Sequence, residues 1–436
     1  MDEQAALTLA QRLAALWDHL GLGAAHVAAP MPGDVGGFVA AWPERVAGLV
    51  LCVPSRLDPA PFAGAAGRVL MIAGDGDLTD AVTARALPRL AGAERQVLAG
   101  YVAPGWADVV ADRGEAIVGW MTEFLGRFRA DAPRAVAAQG VVAGISYRVQ
   151  GSGPALVMLP FFLAPSQWQP AIAALVRRFS VVTLSGRHVG GIAALEDRAR
   201  APSYRAMVRT LLEQMAPQPG EAVLDIGSGS GALDRMVARL WPACPLTAVD
   251  VNPFLQREAR ALAVEEGLGA AIAFRPGSAE ALPFPEASFG CVFTVTVLEE
   301  CDADLALREA WRVLRPGGRL GVVVRAIDLP QWWNLELPPS LRGRAETPPQ
   351  SVGPRAIADA SLYRRMRLAG FRNVVALPSL VTLDRPDGPI WRYREDHVLS
   401  LLTSEETETW HALTAAARHD GVLLMAHAMH CAVGTK

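Results

Sequence analysis

The chain has 436 residues, 51% hydrophobic and 19% charged: enough apolar content for two domains, too little charge for a disordered or coiled-coil chain. A net charge of −3 argues against a broad electrostatic grip on nucleic acid or an anionic membrane surface. The longest apolar runs, such as 154–165, are broken by proline and fall short of the roughly 18 residues a spanning helix needs. The opening Met1-Asp2-Glu3-Gln4 lacks a secretory n-region. Five scattered cysteines (Cys52, Cys244, Cys291, Cys301, Cys431) form no C-x-x-C pair, which argues against a disulfide framework or zinc knuckle and for a reduced, cytoplasmic setting.

Hydrophobic periodicity predicts a helix over Ala5–Leu20, a strand at His26–Ala28, a helix over Gly36–Trp42, strands at Val46–Val53 and Arg68–Ile72, and a helix over Glu115–Arg127. Strands follow at Ala155–Leu159 and Ser180–Leu184. Clustered charges and Pro202 mark a linker at 196–203. Further strands at Ala222–Ile226, Leu246–Val249, Cys291–Val297 and Arg319–Val324 continue the alternation of an α/β protein. Residues 326–360, with Trp332-Trp333 and several prolines, read as a lid or irregular wall. Ser361–Met366 reads as an amphipathic helix ended by Gly370, and a strand falls at about Asn373–Thr382. A helix starts near Thr403/Ser404, where Glu405 and Glu406 suit the positive end of its dipole, and the last strand pattern is Val422–Gly434. Two domains result, 1–195 and 204–436, joined by 196–203.

The sharpest motif is Val223-Leu224-Asp225-Ile226-Gly227-Ser228-Gly229-Ser230-Gly231, an apolar strand running into a glycine turn and then a helical pattern. The spacing Gly227-x-Gly229-x-x-Ala232, with Asp250 further on, also satisfies a lenient dinucleotide fingerprint. Asp225 separates the two cofactors. A carboxylate beside the first glycine repels a pyrophosphate and suits a ligand end that carries an ammonium, as S-adenosylmethionine does. Asp250 ends the next strand, where one carboxylate can accept from both ribose hydroxyls; its alternative role is a helix cap before Pro253.

This segment resembles the class I S-adenosylmethionine-dependent methyltransferases, particularly their ubiquinone/menaquinone-biosynthesis-like branch. Three further stretches match in order: Gly277-Ser278-Ala279-Glu280-Ala281-Leu282-Pro283-Phe284, Ser288-Phe289-Gly290-Cys291-Val292, and Arg308-Glu309-Ala310-Trp311-Arg312-Val313-Leu314-Arg315-Pro316-Gly317-Gly318. The resemblance covers about residues 203–325 and implies a Rossmann-like, seven-stranded domain with S-adenosyl-L-methionine as cofactor. It implies that Asp225, Gly227 and Gly229 line the methionine end, that Asp250 holds the ribose and that Ser278 and Ala279 face the adenine, with Ser228, Asn252 and Thr294 completing the cofactor set. Two positions depart from the family: Ser278 and Gly290 stand where it usually has Asp, and the strand tail Val297-Leu298-Glu299-Glu300 lacks a histidine.

Methyl transfer from a sulfonium asks little of side chains beyond alignment and exclusion of water. Where an acceptor needs a base, the candidates are Glu299, Glu300, His397, His427 and His430, of which Glu299 and His397 are carried forward. His427, His430 and Cys431 lack metal-ligand spacing, so no metal is expected. Trp332 and Trp333 either stack on a flat or apolar acceptor or cover their own core, and Tyr363 joins them as an acceptor-side candidate.

The first domain carries stretches that resemble an α/β-hydrolase with its halves in swapped order. His26 to Gly37 resembles the family's nucleophile elbow, and Trp42-Pro43-Glu44-Arg45-Val46 resembles its H-P-E-R-V stretch. Residues 141–191, including Gln150-Gly151-Ser152-Gly153-Pro154 and Leu159-Pro160, resemble its beginning. A circularly permuted hydrolase-like domain is expected, or else two incomplete copies. Asp34 stands at the elbow position, Asp77 at the acid position and Tyr101 where the histidine belongs, and the oxyanion turn reads Pro160-Phe161-Phe162. A side chain with an ordinary pKa of about 10 is a poor base at neutral pH, so a non-catalytic scaffold is expected. The chain as a whole reads as a methyltransferase acting on a small-molecule acceptor, without nucleic acid or a membrane span and with a homodimer as one option. Its rivals are an NAD(P)-dependent oxidoreductase, a non-catalytic cofactor-binding protein, and a hydrolase with Asp34 as nucleophile.

Overall fold

A computed structural model describes residues 7–102, 108–134, 137–161, 164–350, 352–386 and 388–436. Met1–Gln4, the start of the first expected helix at Ala5, and Phe162 of the expected oxyanion turn lie outside them. The chain divides into two units, Met1–Ala193 and Ala194–Lys436. The division falls inside the helix Gly190–Arg200, and a second helix, Pro202–Met215, begins almost at once. The stretch 196–203 expected as a linker is therefore largely helical. Pro202 opens its helix at the first position, where the missing N–H has no intrahelical partner to lose.

In the first unit, β1 (Ala25–Ala29), β2 (Val46–Cys52), β3 (Val69–Ala73), β4 (Glu94–Val97), β5 (Gln139–Val142), β6 (Ile145–Gln150), β7 (Ala155–Met158) and β8 (Ser180–Ser185) form one sheet in the order β4-β3-β2-β1-β7-β8-β6-β5. The pairs along β4-β3-β2-β1-β7-β8 are parallel, and β6 runs antiparallel to β8 and to β5. The runs Val-Ala-Gly-Leu-Val-Leu-Cys and Val-Leu-Met-Ile-Ala are buried throughout, as parallel strands covered on both faces require. Ala143 and Gly144, both at positive φ, close the β5–β6 hairpin. The helix Leu9–Leu20 starts on a Thr8–Gln11 capping box, stops at a left-handed Gly21, and buries Leu13, Leu16 and Trp17.

In the second unit, β9 (Val223–Ile226), β10 (Leu246–Asp250), β11 (Ile272–Pro276), β12 (Phe289–Val295), β13 (Leu314–Arg325), β14 (Trp332–Trp333), β15 (Arg372–Ala376), β16 (Ser379–Leu383) and β17 (Met425–Thr435) share one sheet. Its order is β11-β10-β9-β12-β13-β17-β14, with β15 and β16 also on β17. The strands from β11 to β13 are parallel, and β17 is antiparallel to β13. Nine strands replace the expected seven. The two-residue β14 is added, and the strand expected over Asn373–Thr382 is two, because Pro378 has no N–H to give a ladder. The strand order reverses at β9, which lies between β10 and β12. Ligands of open α/β sheets bind outside the carboxyl ends of strands at such a point.

Candidate active site

β9 ends at Ile226, and the next five residues turn the chain into the helix Ala232–Leu240. Gly227, Gly229 and Gly231 all have positive φ, the left-handed region that only glycine enters freely. The close approach is as demanding as the angle: a Cβ on Gly227 would overlap the Val297 side chain. Asp250, at the end of β10, clips this loop. Its Oδ2 accepts from the Gly229 N–H at 2.8 Å, and its Oδ1 from the Asn252 N–H at 2.8 Å. Asn252, not Asp250, caps the helix Pro253–Glu265, accepting from the Phe254 and Leu255 amides. The Asn252 carboxamide oxygen expected on a cofactor is thus engaged by its own helix.

Below the loop, Asp225 is 2% exposed and Asp234 fully buried. Burial pushes both carboxyls up, and for Asp225 the neighbouring Asp234 and Asp250 add to it. Neither Asp234 oxygen meets a donor among the described residues. Two adjacent buried carboxyls disfavour each other's ionisation, while the neighbouring Arg235 favours that of Asp234. Behind the loop lies an ion-pair cluster: Glu196 accepts both from Ser230 Oγ (2.8 Å) and, through two oxygens, from Arg235 (2.7 Å each), while Arg235 also pairs with Glu266. The sequence reading missed Glu196, Asp234 and Arg235. The available signal was a charge on an apolar stripe, since Asp234 shares the buried face of its helix with Val237 and Ala238.

The other expected cofactor residues divide. Ser228 is buried and its hydroxyl has no partner among the described residues. The Ser278 hydroxyl accepts from the Glu280 amide in a local turn, and Gly277 donates to the Asp250 carbonyl, which holds this segment beside β10. Ala279 packs in the apolar layer with Val249 and Leu282. The Thr294 hydroxyl donates to the Ile226 carbonyl at 3.0 Å and so fastens β12 to β9. The motif pair Glu309 and Arg312 supports the same segment: Glu309 accepts from the Leu282 amide, and Arg312 donates to the Phe284 carbonyl. Gly290 lies at the opposite end of the sheet from the loop. It sits beside the start of β9, about 16 Å of strand away from the glycines. A Cβ there would overlap Glu221, which is already paired with Arg315 and Arg319, so the missing family carboxylate has a substitute remote from the loop.

At the carboxyl edge, Glu299 is 1% exposed and accepts from the Arg325 amide at 2.7 Å; burial pushes its carboxyl up to about 7. The buried Tyr204 hydroxyl is raised by burial and lies within electrostatic reach of Arg198, Glu299 and Asp225. A carboxyl poised near neutrality can take or hold a proton there. His430 is paired with Asp328 at 2.8 Å, and Glu300 forms a long pair with Arg325 at the surface. His397 lies on the helix Pro389–Leu401, half-buried. No group of His, Cys, Asp or Glu among the described residues could hold a metal ion.

The acceptor-side aromatics do not gather. Trp333 is walled into its own core, its indole donating to the Ala345 carbonyl and its ring edge-on to Trp391 and Trp410 at 5.2 and 4.9 Å. Its β-strand neighbour Trp332 alternates to the outside and is exposed. Tyr363 is also exposed, because its helix turns Leu362 and Met366 inward. The segment 326–360 contains β14 and the helix Pro339–Ala345.

In the first unit the strand-to-helix turn after β1 is Pro30-Met31, and Asp34 lies inside the helix Pro32–Ala41. Asp34 is therefore not at the elbow. It is buried and accepts from the Gly190 amide. Asp77 caps the helix Leu78–Ala86, accepting from the Thr79 and Asp80 amides. Tyr101 donates to Asp112, and burial with that bond raises its phenol further above the neutral range.

Residues 224–322 match the model of a family described as "Methyltransferase domain". The ubiquinone/menaquinone biosynthesis C-methyltransferase UbiE of Hahella chejuensis is 39% identical over 122 residues, 28% of this chain and 49% of that protein. The uncharacterized methyltransferase YodH of Bacillus subtilis is 31% identical over 151 residues, 35% of this chain and 58% of that protein. Among solved structures, the YcgJ protein of Bacillus subtilis aligns with a TM-score of 0.37 at 20% identity, over 53% of this chain and 98% of its own. The chain spans about half the length of the curated relatives it matches. The matched stretch, 224–322, holds the glycine loop, Asp225, Asp250 and the Ser278–Ala279 turn.

Proposed function

We propose that the second unit binds S-adenosylmethionine at the glycine loop and moves its methyl group to a small-molecule acceptor at the carboxyl edge of the sheet. The observation that carries this is the donor and acceptor inventory of the cradle: three glycines at positive φ, with only carboxylates, Asp225, Asp234 and Asp250, beneath and beside them. A pyrophosphate would face like charges there, whereas a ligand end bearing an ammonium meets a carboxyl pair whose neighbouring cation, Arg235, is already paired with Glu196 and Glu266. The orphaned Ser228 hydroxyl and the remaining lone pairs of Asp250 fit hydroxyl- and amine-rich groups. When bound, the cofactor supplies an electrophilic methyl on a sulfonium. The chain's own residues do the rest. Asp225 and Asp234 hold the charged end, Asp250 orients the loop and the ribose side, Val297 and the glycine backbone exclude water, and Glu299 holds or accepts an acceptor proton. The matched relatives' names support methyl transfer; the acceptor is open to a product-mass screen.

Isothermal titration with S-adenosylmethionine, S-adenosylhomocysteine and NAD tests this. Micromolar binding of the first two and none of NAD is expected; the reverse pattern overturns it.

We further propose that the first unit is one circularly permuted, hydrolase-like domain without hydrolytic activity. The stretches resembling the end and the beginning of that family meet in a single sheet through the β1–β7 pair, which supports one permuted domain over two partial copies. The proposed domains are 1–195 and 204–436. The five cysteines are free thiols, four of them buried, which supports a reducing, cytoplasmic setting. No helix among the described residues is long and apolar enough to cross a membrane.

A further inference from the structure

Residues 195–200 end the helix Gly190–Arg200 and lie against the glycine loop. Leu195 packs on Gly229, where an added Cβ would come within 3.2 Å of its Cδ1, and Glu196 holds Ser230 and Arg235. Arg198, two residues on, stacks on the ring of the buried Tyr204, its guanidinium carbon 5.3 Å from the centroid. An aromatic face of this kind fixes the plane of a guanidinium. Tyr204 is also within electrostatic reach of Asp225, so Arg198 and Asp225 share one neighbour at the foot of the loop. Arg198 is half-buried. Its Nε is sealed without a partner, but its two terminal amino groups are not sealed, and they make no hydrogen bond or ion pair among the described residues. The other cations nearby are engaged: Arg235 with Glu196 and Glu266, and Arg200 with Glu196 at 3.7 Å. Glu299, within electrostatic reach of Arg198, pairs with Arg325 instead. Arg198 lies outside residues 224–322, so the matched family stretch gives it no role.

We infer that Arg198 receives the carboxylate at the amino-acid end of the cofactor and so selects a ligand that carries an intact α-amino acid there. The inference rests on the S-adenosylmethionine reading of the unit and deepens it. An α-amino acid bears its ammonium and its carboxylate on one carbon. A ligand whose ammonium is drawn to Asp225 and Asp234 therefore brings its own carboxylate close to theirs, where it is repelled unless a cation stands beside them. The terminal amino groups of a guanidinium offer a carboxylate paired N–H donors. Tyr204 contributes the platform only, since its hydroxyl is buried beside Thr296. The carboxylate, once paired, fixes the amino-acid end from its second side and with it the direction of the chain that leads to the sulfonium.

The test is calorimetry on the full chain with two probes: S-adenosylhomocysteine, and its analogue with hydrogen in place of the carboxyl group, which keeps the ammonium. The native chain binds the first about tenfold tighter than the second. In Arg198→Met the affinity for S-adenosylhomocysteine falls about tenfold and that for the analogue stays near the native value, so the preference disappears. Arg198→Lys keeps the charge but loses the paired donors; its preference falls about threefold, and it serves alone if thermal unfolding shows the methionine variant unfolded. Arg209→Met, which removes an exposed cation from the helix Pro202–Met215, leaves both affinities unchanged and so controls for net charge. The inference is overturned if the native chain binds the two probes alike, or if the folded Arg198 variants keep the native preference or lose affinity for both probes equally, as a purely structural arginine would. Failure of the native chain to bind either probe refutes the cofactor reading and this inference with it, whereas binding without preference refutes the inference alone.

Discussion

Asp250→Asn separates what this residue does for the loop from what it does for a ligand. The native carboxylate satisfies two amides, Gly229 and Asn252, both at 2.8 Å, and is 8% exposed. The amide isostere keeps one acceptor oxygen and turns an NH2 toward the other N–H. One charge-assisted bond is lost, at about 2–3 kcal/mol. Burial of the native carboxyl is itself unfavourable and raises its pKa, so the neutral amide recovers part of that loss. The net destabilisation is about 1–2 kcal/mol, or about 2–4 °C in Tm for a unit of this size. The same change removes the charge that would face the ribose, so S-adenosylhomocysteine affinity by calorimetry falls about 10- to 30-fold. A ligand-only role would leave the Tm of the free protein unchanged, and a clip-only role would lower affinity no more than the loop opens. Both quantities near native values would refute the geometry described for this carboxylate.

Gly227→Ala combines a left-handed φ with overlap on Val297. It costs about 2–4 kcal/mol and abolishes cofactor binding, and Val297→Ala in the same chain restores part of the stability by removing the overlap, as chemical denaturation would show. Glu196→Gln leaves Arg235 with Glu266 alone and destabilises by about 3 kcal/mol, whereas adding Arg235→Met costs less than the single change; a double-mutant cycle by urea unfolding reads the coupling. Glu299 has its pKa raised from 4.5 to about 7. The folded state therefore binds the extra proton, and stability falls as pH rises from about 4.5 to 7 and levels off beyond. In Glu299→Gln that part of the Tm–pH profile is flat; an unchanged profile refutes the assignment. Tyr101→His gains no esterase or dehalogenase activity, because Asp34 lies inside its helix and Asp77 is engaged as a cap; turnover of a chromogenic ester would overturn the non-catalytic reading of the first unit.

The loop and its flanking carboxylates were legible because strand, glycine turn and strand-end acid are local features of the sequence. Asp225, Gly227, Gly229 and Asp250 lie within one stretch of two strands and a helix. What sequence could not show was where each polar atom is engaged. The Thr294 hydroxyl is bonded to a strand carbonyl and the Asn252 carboxamide oxygen to a helix terminus, bonds that only the folded chain shows. Trp332 and Trp333 are adjacent in the chain, so a strand must turn one outward and one inward, and only the packing against Trp391 and Trp410 decides which. Arg394 and His427 come from segments far apart in sequence, and they come together only after both pack at the end of β13. The Gly290 departure looked damaging while its position along the strand was unknown. The pairing of β12 with β9 puts it at the wrong end to matter to the loop.

In the first unit, strands far apart in the chain lie side by side in the sheet, which matters during synthesis. β1 leaves the ribosome well before its neighbour on one side, β7, which is translated only after β2 to β6, with His26 beside Leu156 in the finished sheet. Until then β1, buried along its whole length in the folded sheet, offers a bare edge along which other chains can pair. A nascent chain stalled or cleaved near residue 130 would thus expose a sticky half-sheet. Holdase chaperones should be retained on this protein until the β7–β8 segment has been made.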